Sequence, residues 1–429
     1  MKKVLIITYY WPPSGGGGVQ RWLKFAKYLP EFNWEPIIFT PENPDFDNKD
    51  ETLLKDVSQE LEVLKLPIWE PYHLFAKVNK GKKMKQGVVN DQGSQSLMTK
   101  LALFVRGNFF IPDPRRFWVK PASDFLVRFI HDNDIEAIVT TGPPHSMHLI
   151  GLNLKKRTGI KWLADFRDPW SKWDMLDNFS LTSIARWRHK RLEKKVLTKA
   201  DQIVTVSETW AGELNSIVDR GYKVITNGFD ESDFENKPRK QSETFVISHF
   251  GLINHFRNPA NFWKAVKQLA VQPELASRIK VQLYGTIDQS IIDFIKSDEI
   301  LKPLVEFKKP VSHEEVLKAY SESDLLLLLL NDSKNAKGHI PGKLFEYMAS
   351  QRPILALGPE EGDSAQIINQ TNTGNVYHWD NLEGIKGQLE KYLKGEVELL
   401  VDQAQLIKYS RKSTTSDLAQ LLDKIGENN

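Results

Sequence analysis

The chain has 429 residues, too many for one ordinary domain, and 41% of them are hydrophobic, which is enough for more than one core. The 58 basic and 55 acidic residues nearly balance, and this argues against a general nucleic-acid binder with its concentrated basic excess. Cysteine is absent, so a disulfide framework, a thiolate nucleophile and a cysteine-built metal site are excluded.

The first element predicted is a short apolar strand at residues 2–8, followed by a glycine run at residues 15–18. The apolar part of this strand is too short for a signal peptide. The chain contains no run of about 18 apolar residues, so no membrane-spanning helix is predicted. Apolar residues then recur at helical spacing over residues 19–29. Four glycines between a strand and a helix allow the backbone to approach a ligand closely, and a flexible turn is the alternative.

Two further strands are predicted at residues 34–40 and 61–66. A polar stretch at residues 70–100 carries a basic cluster, for which a solvated insertion and contact with anionic lipid head groups are both open. The cluster consists of Lys77, Lys80, Lys82, Lys83 and Lys85.

Residues 101–121 mix aromatic side chains, including Phe109, Phe117 and Trp118, with arginines. Such a mixture suits a surface that meets an amphiphile, which makes Trp118 an acceptor-side candidate. A loop packed on the core, with the arginines capping it, explains the same composition equally well.

A strand at residues 135–141 runs into Gly-Pro-Pro-His-Ser and then into a helix for which Ser146 is a plausible N-cap. His145 and His148 lie at this junction, either as hydrogen-bonded structural residues or as imidazoles that act on a substrate. The next strand, at residues 160–165, leads directly into Arg167 and Asp168. Polar and aromatic residues at the carboxyl end of a strand favour a ligand site, so both are acceptor-side candidates.

A strongly basic helix at residues 183–199 indicates a solvated face, with attraction to a membrane surface as the lesser alternative. Polar, turn-rich residues from 227 to 243 mark a domain boundary, after which strands and helices alternate again. This alternation predicts an α/β fold with two doubly wound, Rossmann-like domains that face each other across a cleft. The first domain is expected at residues 1–227 and the second at 228–404, with a helix at about 405–429 that packs back on the first.

The second half contains the stretch GHIPGKLFEYMASQRPILALGPEE, residues 338–361, after an apolar strand at 325–330. A strand, a loop and a helix in this order place backbone N–H groups at a carboxyl strand end, where open α/β sheets bind ligands. Lys343 and Glu346 lie three residues apart and can face the same side of the helix. A cation there suits a phosphate, and a carboxylate suits sugar hydroxyl groups.

With these motifs the chain resembles the GT-B fold glycosyltransferases, in the broad group of family 4-like bacterial enzymes. The segments that carry the resemblance are YYWPPSGGGG, TGPPHSMH, ADFRDPW, FGLINHFRNP and, as the most specific, IPGKLFEYMASQRPILAL with GPEEGDSAQII. It covers nearly the whole chain. The resemblance implies a retaining transferase that moves a sugar from a UDP- or GDP-linked donor, without a metal or another cofactor, to a glycan or lipid-linked acceptor.

The resemblance also implies roles for particular residues. Glu346 is expected to hold the ribose hydroxyls, while Arg257 and Lys343 are expected near the pyrophosphate as catalytic groups, with His145 or His148 as the catalytic-side histidine. Further donor contacts are implied for Gly16, Gly17, Gly18, Gly251, Asn254, Asp363 and Ser364. Many relatives carry another glutamate at the position of Gly338, so contacts to the transferred sugar are expected instead from the backbone of 338–340, from His339, or from Glu360, Glu361 or Asp363.

No Asp-x-Asp metal motif stands directly at a strand end. Asp45-Phe46-Asp47 has the spacing, but it lies in a loop after strand two. The pathway implied is cell-surface polysaccharide or glycolipid synthesis, in the cytoplasm or at the inner face of the membrane. Two alternatives remain: a sugar-nucleotide epimerase or phosphorylase of the same fold, and a non-catalytic member that acts as a binding partner.

Overall fold

The computed structural model describes residues 1–46, 49–71, 97–234, 243–309 and 312–427. The chain divides into two compact units, unit 1 with residues 1–226 and 411–429 and unit 2 with residues 227–410. The basic cluster from Lys77 to Lys85 and the residue Asp47 lie outside the described residues.

Unit 1 is built on a seven-stranded parallel sheet. Its strands are β1 (Lys2–Ile7), β2 (Trp34–Pro41), β3 (Glu62–Leu66), β4 (Ile135–Gly142), β5 (Lys161–Phe166), β6 (Gln202–Thr205) and β7 (Lys223–Val224). They lie in the order β3-β2-β1-β4-β5-β6-β7, so the direction of winding reverses between β1 and β4.

Helices cover both faces of this sheet. They are α1 (Gly17–Tyr28), α2 (Leu97–Phe109), α3 (Val119–Asp132), α4 (Ser146–Thr158), α5 (Ser183–Lys199) and α6 (Glu208–Asn215). Val4 and Ile6 of β1 belong to one core cluster and Leu5 and Ile7 to another. Successive side chains of a strand point to opposite faces, so the continuous apolar run of β1 supplies both cores.

Unit 2 repeats this plan with a six-stranded parallel sheet in the order β10-β9-β8-β11-β12-β13. The strands are β8 (Phe245–Phe250), β9 (Ile279–Tyr284), β10 (Val305–Lys308), β11 (Leu325–Leu329), β12 (Ile354–Leu357) and β13 (Gly374–Tyr377). The helices are α7 (Ala260–Leu269), α8 (Pro273–Ala276), α9 (Gln289–Ser297), α10 (His313–Glu322), α11 (Gly342–Ala349), α12 (Asp363–Thr371), α13 (Leu382–Lys394) and α14 (Gln403–Leu406). All five leucines of β11 are buried, as expected for a central strand covered on both faces.

The last helix, α15 (Arg411–Glu427), belongs to unit 1 rather than to unit 2. Leu418 and Leu422 enter the same core cluster as Trp22 and Phe25 of α1. Asp423 pairs with the Lys2 ammonium group at 2.9 Å and accepts a hydrogen bond from the indole of Trp34. The C-terminal helix therefore closes one face of the first sheet.

Both strand orders are those of doubly wound folds, which confirms the predicted fold class of two Rossmann-like α/β sheets. The elements that the sequence did not indicate include the helix α2 at residues 97–109 and the edge strand β10. No helix within the described residues is long and apolar enough to cross a membrane.

Candidate functional site

The predicted donor residues of unit 2 follow β8, β11 and β12, at the carboxyl ends of neighbouring strands. The winding of this sheet reverses between β8 and β11, and doubly wound folds bind ligands in the crevice outside such a reversal point. Gly251, Asn254 and Arg257 come after β8, Lys343 and Glu346 after β11, and Asp363 and Ser364 after β12.

Helix α11 holds the end of β8 through the main chain of Phe250. The Lys343 ammonium group donates to the Phe250 carbonyl oxygen at 2.6 Å, and the Phe250 N–H donates to the Tyr347 hydroxyl at 3.1 Å. Lys343 and Tyr347 are four residues apart, so both lie on the same face of the helix. The Lys343 side chain is thereby fixed beside Gly251, the first residue after the strand.

The Lys343 ammonium group lies in an environment that disfavours its charge. Burial, followed by the nearby Arg257 guanidinium, lowers the pKa of Lys343 to about 7, while Glu346 acts in the opposite direction. Arg257 donates through Nε to Asn331, and burial also lowers the pKa of Arg257. Two cations held close together in a partly desolvated crevice favour an anion as their ligand.

Glu346 is oriented by a buried tyrosine. The Tyr320 hydroxyl of α10 donates to Glu346 Oε2 at 2.8 Å, and burial beside this carboxylate raises the pKa of Tyr320 well above its ordinary value. The carboxylate therefore keeps acceptor capacity for a further hydroxyl group, because one Tyr O–H uses only one of its lone-pair sites. Tyr320 and Tyr347 escaped the sequence analysis because they read as ordinary core aromatics.

Gly251 and its neighbours allow close approach of a ligand to the backbone. Gly251 has φ of 130°, and an added Cβ would lie 2.7 Å from the Lys343 ammonium nitrogen. Asn254 Oδ1 is buried without a hydrogen-bond partner among the described residues. Such an atom costs free energy unless a ligand or water satisfies it.

The remaining donor candidates are the first two residues of α12. Asp363 and Ser364 are both buried, and the Ser364 hydroxyl donates to the His339 carbonyl oxygen at 3.0 Å. Gly338 is buried as well. Of the carboxylates expected to replace the missing one, Glu360 accepts from the His378 N–H at 2.8 Å and Glu361 pairs with Lys337 at 3.4 Å. Asp363 is therefore the only buried member of this acidic set.

In unit 1 the glycine run begins α1 beside Arg167. Gly16 has φ of 101°, and a Cβ on Gly18 would lie 2.3 Å from an Arg167 nitrogen. The guanidinium group also donates to the Pro143 carbonyl oxygen at 2.5 Å. Arg167 thus brings the start of α1 together with the loop after β4, and only a residue without a side chain fits at Gly18. Gly17, between Gly16 and Gly18, is the first residue of α1.

His145 and His148 lie below the surface of unit 1. The ring of His145 stacks on Trp170 at 4.7 Å, and the fully buried ring of His148 stacks on Phe166 at 4.4 Å. Burial is the main cause that lowers the pKa of His145 well below its ordinary value and the pKa of His148 to about 3. Both imidazoles are therefore neutral at physiological pH.

The unpartnered nitrogens of these two histidines converge on Gly142. A Cβ on Gly142 would lie 2.6 Å from His148 Nε2 and 2.9 Å from His145 Nδ1, and neither nitrogen has a hydrogen-bond partner among the residues described. The Thr140 hydroxyl lies 2.9 Å from His148 Nδ1 and accepts from the Trp162 indole N–H. These contacts fix the orientation of His148 from its other side.

A buried ion pair beneath these loops was not predicted. Asp165, the penultimate residue of β5, accepts two hydrogen bonds from the Arg21 guanidinium, at 3.0 and 3.2 Å, and one each from Trp22 and Thr141. A usable signal is present in the sequence, since Arg21 stands on the apolar face of α1 and a buried charge needs a partner. The pair ties α1 to β4 and β5.

The two remaining acceptor-side candidates differ in their surroundings. Asp168 is half-buried, and burial raises its pKa although Arg167 acts in the opposite direction. Trp118 is buried, stacks on Phe39 at 4.9 Å and donates its indole N–H to the Pro67 carbonyl oxygen. Trp118 is therefore a core residue, and the structure does not support an acceptor contact for it.

No protein-family model and no curated protein sequence matches this chain. Solved structures do. A glycosyltransferase from Rickettsia africae is 15% identical with a TM-score of 0.63, over 100% of this chain and 99% of that one. HepE from Anabaena in complex with UDP is 13% identical with a TM-score of 0.57, over 100% and 98%. TarM of S. aureus, in complex with fondaparinux, α-GlcNAc-glycerol and UDP, is 10% identical with a TM-score of 0.60, over 99% and 100%.

These matches extend over the full length of each chain and include both sheets. The chain therefore has the GT-B fold that these glycosyltransferase structures share.

Proposed function

We propose that the protein is a retaining, metal-independent glycosyltransferase that takes a sugar from a UDP- or GDP-linked donor. The observation that carries this proposal is the arrangement on α11, where Lys343 and Glu346 share one helix at the reversal point of the second sheet. The full-length likeness to HepE in complex with UDP and to TarM supports it.

In this proposal unit 2 holds the donor. Glu346, oriented by Tyr320, accepts hydrogen bonds from the ribose hydroxyls, and Lys343 and Arg257 neutralise the diphosphate. A diphosphate beside Lys343 favours the charged ammonium and raises its pKa again. Gly251 and the amide groups of the loop that follows it approach the phosphates, and Asp363 and Ser364 lie beside the transferred sugar.

The transfer breaks the bond between the anomeric carbon and the diphosphate oxygen and forms a bond from that carbon to an acceptor oxygen. Negative charge grows on the leaving diphosphate, and the fixed cations Lys343 and Arg257 stabilise it. In retaining transfer on one face, the leaving oxygen takes the proton of the acceptor hydroxyl. No carboxylate pair of the kind that glycosidases use is then required.

Unit 1 is assigned to the acceptor side. His145 stacks on Trp170 and Arg167 contacts Pro143, and these contacts join the loops after β4 and β5. We assign the backbone of Gly16, Gly17 and Gly18 to contacts with a phosphate or sugar, with open space at Gly16 and the Arg167 guanidinium against Gly18. His148 is fully buried, so we assign it the role of a positioning residue. The acceptor is proposed to be a glycan or lipid-linked glycan of a cell-surface polysaccharide or glycolipid, reached in the cytoplasm or at the inner membrane face.

A two-stage experiment tests this function. A thermal-shift screen against UDP-, GDP-, ADP- and CMP-sugars identifies the donor, because a ligand that binds only the folded state raises the melting temperature. The donor is then incubated alone and with candidate acceptors, and the anomeric configuration of any product is read by NMR. Transfer with retention supports the proposal. Conversion of the donor without an acceptor would indicate an epimerase, and no shift with any donor would contradict the proposed function.

A further inference from the structure

Unit 1 contains two adjoining cavities with opposite chemical character. One, of about 230 Å³, has mainly aromatic and proline walls and is called here the aromatic cavity. The other, of about 440 Å³, carries four cationic side chains and is called the cationic cavity. Leu176 and His189 line both, so the two volumes are neighbours on one side of α5.

The charged side chains that line the aromatic cavity are engaged with other groups of the protein. The Arg106 guanidinium lies over the Phe179 ring, 5.1 Å from its centroid. Arg115 is tied to Glu70 at 2.9 Å, and Asp113 accepts from the Ser146 N–H and hydroxyl, both at 2.8 Å. His189 accepts the Trp170 indole N–H at 3.0 Å, and burial lowers the pKa of His189 to about 4. A cavity of about 150 Å³ lined by apolar groups is enough to bind benzene. This larger one suits an apolar ring or a short hydrocarbon chain.

The cationic cavity has the opposite preference. Arg186, Lys190 and Lys194 are spaced four residues apart on α5 and form a row along one face. Lys172 also lines the cavity and donates to the Ser216 hydroxyl at 2.7 Å. Like charges at this spacing destabilise a helix, so an anion bound here removes a repulsion in addition to making new contacts. Phosphate, with several acceptor oxygens, matches a row of ammonium and guanidinium groups.

The acidic groups near this row do not cancel it. Asp177 pairs with Arg186 at 3.1 Å, and both side chains are about half exposed. Burial raises the pKa of Glu193 to about 7 and also raises the pKa of Glu213, although Lys172 acts on both carboxyl groups in the opposite direction. Lys190 and Lys194 are exposed and form no ion pair with a carboxylate among the described residues, so both ammonium groups are accessible to an anion.

We propose that these adjoining cavities form a binding site for an anionic amphiphile, with its apolar part in the aromatic cavity and its phosphate among the lysines of the cationic cavity. Leu176 and His189 separate the two compartments at the junction between tail and head. The exposed side chains of Ile184 and Trp187, 72% and 55% accessible, lie on the same helix and suit the edge of a lipid layer from which such a molecule comes. His145, assigned above to the acceptor side, lines the aromatic cavity, so the site rests on the proposed function in that part, but binding to it requires no donor.

Three small probes separate the two halves of this claim. Octyl phosphate carries both the chain and the charge, octyl glucoside carries the chain with an uncharged sugar head group, and methyl phosphate carries the charge without the chain. Calorimetry on the full chain, below the micellar concentration of each probe, is expected to show saturable one-to-one binding of octyl phosphate, and binding of each other probe weaker by about tenfold or more. Equal binding of octyl glucoside or of methyl phosphate would overturn the assignment.

Matched variants locate the binding. Lys190→Glu with Lys194→Glu is expected to weaken octyl phosphate by about tenfold or more, whereas Lys195→Glu with Lys199→Glu makes the same charge change on α5 outside the cavity and leaves the affinity within about twofold. Leu176→Trp fills the aromatic cavity and is compared with Leu400→Trp on the surface of unit 2. If the two double lysine-to-glutamate variants weaken octyl phosphate equally, the proposed binding site is wrong, and this holds even if Leu176→Trp fails to fold. UDP binding is measured in parallel and reports separately on the donor site.

Discussion

The Lys343 ammonium group lies 2.6 Å from the carbonyl oxygen of Phe250, the last residue of β8. This contact joins the helix that carries the proposed ribose acceptor to the strand that leads into Gly251. The same ammonium group is both a structural donor and the cation assigned to the diphosphate. Its position is therefore set before any donor binds, which is the preorganisation that electrostatic catalysis requires.

Donor affinity should depend on pH through Lys343. In the protein without nucleotide the pKa of Lys343 is about 7, and a diphosphate favours the charged form of this lysine. Binding of the diphosphate above that pH therefore takes up a proton. The affinity for the free nucleoside diphosphate is expected to fall by about tenfold per pH unit above roughly pH 7, until the pKa of the bound lysine is reached. Calorimetry in buffers of different ionisation enthalpy measures the proton uptake. A pH-independent affinity and no uptake from about pH 7 to 9 would refute this role.

Loss of the charge on Glu346 should weaken nucleotide binding. Glu346→Gln retains the contact with Tyr320 but replaces charge-assisted hydrogen bonds to the ribose by neutral ones, a loss of about 1–2 kcal/mol or roughly tenfold. Tyr320→Phe should cost about threefold, because the carboxylate is then no longer held. Glu322→Gln, at an exposed position of the same α10 helix, serves as the control. Equal affinities in all three variants would remove Glu346 from the site.

Gly18 should tolerate no side chain. The Cβ in Gly18→Ala would lie 2.3 Å from an Arg167 nitrogen, so the guanidinium must leave the start of α1. We expect transfer to slow by about tenfold to a hundredfold, the effect typical of a displaced group in a reacting geometry, with little change in melting temperature. Gly212→Ala is the matched control because its Cβ meets open space. A Gly18→Ala enzyme with unchanged turnover would show that this close contact has no role in the reaction.

The buried histidines should make the fold sensitive to acid. The pKa of His148 is about 3 in the folded chain and about 6.5 in an unfolded one. Between these values the unfolded chain binds more protons, so stability is fully present above about pH 6.5 and is lost as the pH falls. His148→Gln should reduce the slope of the unfolding free energy between pH 6 and 4 by about 1.4 kcal/mol per pH unit. Urea denaturation at several pH values measures it, and an unchanged slope would mean that His148 is protonated in the folded state.

Much of the fold could be predicted because it rests on local patterns. Apolar runs such as residues 325–330 mark central strands, and their regular alternation with helices defines the doubly wound sheets. The edge strand Val305–Lys308 escaped because its alternating charged residues resemble a loop. The helix Leu97–Phe109 escaped because its exposed apolar residues blur the helical periodicity.

The site could be predicted only where its residues lie close in sequence. Lys343 and Glu346 belong to one helix, and their spacing alone suggests a shared face. Arg21 and Asp165 are 144 residues apart, and their ion pair exists only because the sheet brings α1 beside β5. Trp118 was predicted as an acceptor-side residue from composition alone, and composition does not reveal whether an aromatic ring faces a ligand or the core. The structure places this side chain in the core.

Titration calorimetry with UDP and GDP measures whether Lys343 of unit 2 binds a nucleoside diphosphate. We expect one of the two nucleotides to bind the wild-type chain and Lys343→Met to weaken that binding by roughly tenfold to a hundredfold, since a hydrogen bond to a charged group contributes about 1.5–3 kcal/mol. Lys318→Met, at an exposed position of α10, should bind like the wild type. Equal affinities for Lys343→Met and Lys318→Met would mean that Lys343 does not bind the diphosphate.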